Sequence, residues 1–130
     1  MASILVIDDD REFREYVAAI LEGNGHEVST AGSSSLLVSA IRENRLRGSF
    51  DAAVVDILMP DVSGIEVIQT LKKARPSARV VAVTGGGPEL GVENRLEVAS
   101  KFGAEATLAK PFSSLQLCGA IDRTLAKGRP

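Results

Sequence analysis

Short apolar runs alternate five times with stretches of helical period, and this alternation constrains the fold more than any other feature of the chain. Nothing polar interrupts Ile4-Leu5-Val6-Ile7, which reads as a strand buried on both faces. Arg11 to Glu22 follows with Phe13, Val17, Ile20 and Leu21 at helical spacing, and Gly23 and Gly25 stop it. Glu27-Val28-Ser29-Thr30 is a brief second strand. Ser33 to Asn44 is helical, with Leu37, Ala40 and Ile41 on one face and serines available as caps. Ala52-Ala53-Val54-Val55 is a third strand that delivers Asp56 at its carboxyl end. A helix from about Ser63 to Ala74 then presents Ile65, Ile68 and Leu71, and Pro76 closes it. Arg79 to Val83 is a fourth strand with Thr84 at its tip. Gly85, Gly86, Gly87 and Pro88 form a loop before a helix over roughly Glu89 to Phe102. Thr107-Leu108-Ala109 is a fifth strand ending at Lys110-Pro111, and a last helix from about Ser113 to Ala126 presents Leu117, Ile121 and Leu125.

Strand–helix alternation with short connections predicts an α/β fold: one parallel sheet covered by helices on both faces. The 130 residues, 45% hydrophobic, suit one such domain spanning 1–130 with a single core region. A net charge of −2 provides no basic field for nucleic acid. The chain's one cysteine, Cys118, excludes an internal disulfide framework, and its neighbours Leu115, Leu117 and Ile121 suggest a buried structural thiol. No basic leader precedes the first apolar run and no stretch reaches the ~20 apolar residues of a membrane span, so a cytoplasmic location without membrane contact is expected.

In open parallel sheets the chemistry gathers beyond the carboxyl ends of the strands. Here those ends carry Asp8 and Asp9, Asp56, Thr84 and Lys110. Carboxylates brought together on neighbouring strand ends repel, and a hard divalent cation with oxygen preference, such as Mg²⁺, compensates them. The only histidine, His26, lies at the start of the second strand and offers no alternative ligand. A lysine ammonium serves phosphate oxygens, and a threonine hydroxyl donates to one more. Asp56 can act as a carboxylate nucleophile forming an acyl phosphate. Each piece also has a plain reading: the Asp8-Asp9-Asp10 run as helix caps, Asp56 to Pro60 as a strand exit, Lys110 as a solvated charge. The glycine run lacks the Gly-Lys-Ser/Thr ending of a P-loop. The weight comes from four strand ends converging on one rim.

At Ile4-Leu5-Val6-Ile7-Asp8-Asp9-Asp10, Val54 to Pro60 with Gly64, Val81 to Gly85, and Gly103-Ala104 through Lys110-Pro111-Phe112, the chain closely resembles the receiver domain of two-component response regulators, over its whole length. The resemblance implies a flavodoxin-like three-layer fold with strand order 2-1-3-4-5. It implies phosphotransfer onto Asp56 from a histidine kinase or a histidine phosphotransfer protein. By position, Asp9 resembles a direct Mg²⁺ ligand, Asp8 one acting largely through water, and the Leu58 backbone carbonyl the third protein ligand. Thr84 resembles the switch hydroxyl and Lys110 the phosphate-binding lysine, with a Lys110-Pro111 bond that is usually cis in the family. One position departs: Thr107 stands where the family commonly has a Tyr or Phe that swings with the threonine.

The resemblance further implies a phosphoacceptor that assists its own phosphorylation and dephosphorylation rather than a separate multiple-turnover enzyme. Because the sequence ends soon after the last helix, at Lys127-Gly128-Arg129-Pro130, a stand-alone receiver is expected, without an output domain, acting on an unidentified downstream protein by contact or phosphate relay. Two alternatives stay open on sequence: a phosphorylation-independent receiver-like interaction module, and an aspartate-nucleophile phosphohydrolase of the haloacid dehalogenase type. The second needs Asp-x-Asp, whereas Leu58 stands two residues after Asp56. A flavin-binding domain of the same fold would place a phosphate against Asp8, Asp9 and Asp10, which repel it.

Overall fold

Ile4 and Val6 face one way and Leu5 and Ile7 the other, and all four are buried. That is what an uninterrupted apolar strand requires: cover on both sides. The computed structural model, which describes residues 2–43, 50–85 and 92–126, provides it with two helical layers. The elements run β1 (Ser3–Ile7), α1 (Arg11–Gly23), β2 (Glu27–Ala31), α2 (Ser34–Arg42), β3 (Ala52–Asp56), α3 (Gly64–Ala74), β4 (Arg79–Thr84), α4 (Val92–Lys101), β5 (Ala106–Ala109) and α5 (Ser114–Ala126). The sheet is parallel in the order β2-β1-β3-β4-β5, as the resemblance implied.

Two separate apolar clusters fill the spaces between layers. Leu5, Ile7, Ala53, Val55, Val80 and Ala82 meet α2 and α3 through Leu37, Ile41, Val67, Ile68 and Leu71. On the other face Ile4, Val6, Val54, Val81 and Val83 meet α1 and α5 through Val17, Leu21, Leu117 and Ile121. Fully burying one such aliphatic side chain contributes roughly 1.5–3 kcal/mol, so both layers are held by apolar area rather than by ion pairs.

Helix starts follow the capping signals. Asp10 accepts from Glu12 N and Phe13 N, Ser33 from Leu36 N, and Ser63 from Glu66 N. Ser34, next to the cap, is buried, and its Oγ accepts from Val62 N at 3.1 Å, tying the loop after Asp56 to α2. The segment boundaries differ from the sequence reading by one to three residues. Gly23 closes α1 rather than following it, and the turn is made by Gly25 at φ 91°. Asn44, the glycine-loop residues Gly86, Gly87 and Pro88, the helix start at Glu89 and the end from Lys127 to Pro130 lie outside the described residues.

Two expectations about α5 are corrected. Leu115 is 82% exposed, and Cys118 is half-buried rather than buried. The inward stripe is Leu117, Ala120, Ile121 and Thr124, which sets Cys118 beside it. Burial first, and then the nearby Asp122, raise the Cys118 thiol pKa, so the thiol is held in its unreactive form.

Gly64 shows how tightly the third helix is set against the third strand. A Cβ there would lie 2.2 Å from the Asp56 carbonyl oxygen and 2.5 Å from the Ile57 Cα, both backbone atoms that cannot swing aside. The Gly64 amide itself donates to the Ile57 carbonyl at 2.9 Å. We predict that Gly64→Ala costs about 3 kcal/mol through forced separation of α3 from β3. Gly23→Ala, where an added Cβ meets nothing within 4 Å, should be neutral or slightly stabilising. Urea midpoints at unchanged slope measure both; equal midpoints for the two variants would refute the close approach at Gly64.

Candidate functional site

Strand register alone assembles the rim. Ile7 pairs with Val55, so the next residues on each strand, Asp8 and Asp56, stand side by side. Asp56 pairs with Val83, which sets Thr84 one step further along β4. Thr84 pairs with Ala109, so Lys110 emerges just beyond it. The Lys110 amide donates to the Thr84 carbonyl at 2.7 Å and extends that ladder by one bond.

Carboxylate oxygens of Asp8, Asp9 and Asp56 all lie within 4.8 Å of one another. Asp8 and Asp56 are buried and Asp9 is exposed, so the cluster opens to solvent on the Asp9 side. The run of three acids divides its work: Asp8 Oδ1 accepts from Asp10 N at 2.9 Å, Asp10 caps α1, and Asp9 is left at the mouth. Arg14 Nη1 donates to the Asp8 carbonyl at 2.8 Å, fixing the strand-to-helix turn from behind.

Lys110 is the cation of the rim. Its Nζ lies 3.2 Å from Asp8 Oδ2 and 3.4 Å from Asp56 Oδ2. The other oxygen of Asp56 accepts from the Leu58 amide at 3.1 Å, so Leu58 enters the site through its backbone while its side chain is exposed. The Lys110 stem runs along Gly85, where an added Cβ would sit 3.4 Å from Lys110 Cβ and Cδ. Thr84 stands apart from the acids. It is fully buried, and its hydroxyl donates to the Gly85 carbonyl at 3.4 Å. The structure therefore brings Asp8, Asp9, Asp56 and Lys110 together and adds Leu58 and Thr84 by their backbones.

Phe13 was legible only as part of a helical stripe, yet its ring lies under the Lys110 ammonium, 3.8 Å from Nζ to the centroid. A sequence signal existed in Phe112, two residues beyond Lys110, whose ring packs edge-on against it. Lys110-Pro111 is cis, as the resemblance implied.

Burial and the neighbouring Asp8 charge push the Asp56 carboxyl up to about 6; Lys110 and the Leu58 amide offset part of this. Between its ordinary value and about 6, folded Asp56 holds a proton that the unfolded chain has lost, so stability falls as pH rises through that window. Asp56→Asn removes the buried charge. It should raise stability at pH 7.5 on the order of 2 kcal/mol, somewhat less than the full shift allows because Lys110 also loses a partner. The gain should shrink to near zero by about pH 4, where Asp56 is protonated anyway. Melting temperatures of both proteins across this range decide it; a gain that does not vary with pH would refute the cause assigned.

Known proteins agree with this geometry. The family model of the response regulator receiver domain matches residues 4–122. Over 132 residues the chain is 34% identical to the DNA-binding transcriptional regulator NtrC of Azospirillum brasilense, covering 99% of this chain and 25% of that protein. It is also 34% identical to the photosynthetic apparatus regulatory protein RegA of Rhodobacter capsulatus, covering 97% of this chain and 62% of that protein. The chain thus spans less than two thirds of the length of these relatives. A response regulator receiver domain protein from Clostridium thermocellum superimposes with a TM-score of 0.82 at 34% identity, over 96% of this chain and 94% of that one. A match that begins in the first buried strand and ends in the last helix takes in the whole fold and its rim: this chain belongs to the family of response regulator receiver domains.

Proposed function

We propose that the chain is a Mg²⁺-dependent phosphorylation switch whose phosphoacceptor is Asp56. The observation that carries this reading is the convergence of Asp8, Asp9 and Asp56 within 4.8 Å, with the Lys110 ammonium against two of them. Accepting a phosphoryl group on an aspartate and binding Mg²⁺ at an acidic pocket are general to receiver domains. The residues here fit that cation: the donor set is all oxygen, and an Asp56 carboxyl raised by burial and by Asp8 marks a pocket with uncompensated negative charge. Asp9 and Asp56 would hold Mg²⁺ directly with the Leu58 carbonyl, and Asp8 largely through water. When bound, the cation supplies neutralisation of charge on the phosphoryl oxygens.

The protein's own groups do the rest. One Asp56 oxygen attacks phosphorus of a phosphohistidine on a kinase or phosphotransfer protein. The O–P bond forms as the P–N bond breaks, and the electron pair returns to the donor imidazole. The Leu58 amide holds the other carboxylate oxygen and orients the attack. Lys110 exchanges its carboxylate partners for a phosphoryl oxygen. Thr84 leaves the weak 3.4 Å contact to Gly85 and donates to another phosphoryl oxygen. The chain acts as a phosphoacceptor that assists its own phosphorylation and dephosphorylation, not as a multiple-turnover enzyme. Its output reaches a downstream protein in the cytoplasm by contact or by phosphate relay.

Incubation with acetyl phosphate and Mg²⁺ followed by intact mass tests this. Wild type should gain one phosphoryl group and Asp56→Asn none; equal gain would move the acceptor elsewhere, and no gain in wild type would favour a phosphorylation-independent module. Mg²⁺ at about tenfold its Kd should stabilise the fold by about 1.4 kcal/mol, through preferential binding to the folded state. Asp9→Ala should reduce that increment. An identical Mg²⁺ response in melting temperature for the two proteins would refute the carboxylate-lined site.

A further inference from the structure

The ammonium of Lys110 has a third neighbour besides Asp8 and Asp56. Its Nζ stands 3.8 Å from the centroid of the Phe13 ring, within the range where a ring face attracts a cation. That ring does not float. Phe112 meets it edge-on, with centroids 5.5 Å apart and planes at 81°. Phe112 is itself buried in the cluster beneath α1 and α5. The segment that supplies the lysine therefore also braces the ring on which the lysine rests.

We propose that Phe13 is a positioning residue for Lys110, its ring face fixing where the ammonium stands on the rim; the consequence for phosphotransfer rests on the reading of Lys110 as the phosphate-binding lysine. A lysine side chain has much rotamer freedom to lose on being placed. The carboxylates and the ring confine the head of Lys110. The carboxylate seats are oxygens that a divalent cation also claims. The ring face is a seat the cation does not claim, so it goes on holding the ammonium beside the incoming phosphoryl group.

Packing alone is the competing account, because Phe13 also lies against the apolar cluster of α1 and α5. Leucine and tyrosine separate the two: Phe13→Leu keeps apolar bulk without a π face, and Phe13→Tyr keeps the face. In metal-free protein the ring current should displace the Lys110 ε-methylene proton resonances in wild type and in Phe13→Tyr, and Phe13→Leu should return them to ordinary lysine positions. With saturating Mg²⁺, phosphorylation by acetyl phosphate should slow about fivefold in Phe13→Leu, within the range expected for one cation–π contact, and stay within about twofold of wild type in Phe13→Tyr. Should Phe13→Leu fail to fold, Phe13→Met carries the same comparison. Lys110 resonances that ignore the loss of the ring would overturn the proposal, and so would equal rates in the leucine and tyrosine variants. If wild type takes no phosphoryl group, the functional reading falls, and the resonance shifts alone still decide whether Phe13 positions Lys110.

Discussion

Lys110 Nζ between Asp8 and Asp56 is the contact around which the carboxyl end of the sheet is organised. Two nearly buried carboxylates on adjacent strands repel each other through a medium that screens poorly. The lysine offsets part of that repulsion, and burial together with the Asp8 charge still pushes the Asp56 carboxyl up to about 6. Three carboxylates, Asp8, Asp9 and Asp56, thus share one lysine, and the pocket carries net negative charge. Breaking a buried pair by removing one partner is generally costly. Here removing the Asp56 charge relieves its burial and its repulsion by Asp8, while Lys110 keeps Asp8 as a partner.

That contact is possible only because of strand order. Placing β1 beside β3 puts Asp8 next to Asp56, whereas the lysine must reach them from β5 across the end of β4. The Lys110 stem runs past the end of β4 beside Gly85, where an added Cβ would make only ordinary contact with it, at 3.4 Å. Gly64, on the other side, lets α3 begin against the backbone of Asp56 itself. The missing side chain at Gly64 therefore shapes the pocket beside the acids that fill it.

The buried strands and the four rim residues Asp8, Asp9, Asp56 and Lys110 were legible in the sequence. Uninterrupted apolar runs fix which segments are central, and the residue after each run has to emerge at the carboxyl edge. The division of the acids was not legible, because which of Asp8, Asp9 and Asp10 caps the helix depends on the turn geometry set by Arg14 and the Asp8 carbonyl. Cys118 was misplaced for a different reason. Apolar residue types crowd the first turns of α5, and periodicity alone does not choose between adjacent stripes when Ala120 and Thr124 complete the buried one. The role of Phe13 was hidden because it depends on two segments almost a hundred residues apart meeting at one ring.

Thr107 bears on how a change at the rim could travel. It is half-buried on the edge strand, paired with Ala82, and too small to occupy the volume an aromatic would fill. Beyond the ladder that pairs β4 with β5, the Lys110 amide donates to the Thr84 carbonyl directly at the rim. The tip of β4 at Thr84 is thereby tied to Lys110 and to the segment leading to Phe112, which braces Phe13. Coupling of this kind runs toward α1 and α5 through packed rings rather than out along the edge strand. It is short-ranged, because close-packed side chains transmit small shifts only to the neighbours they touch. In this chain the aromatic mass near the rim stands beneath the lysine, and position 107 on β5 is a threonine.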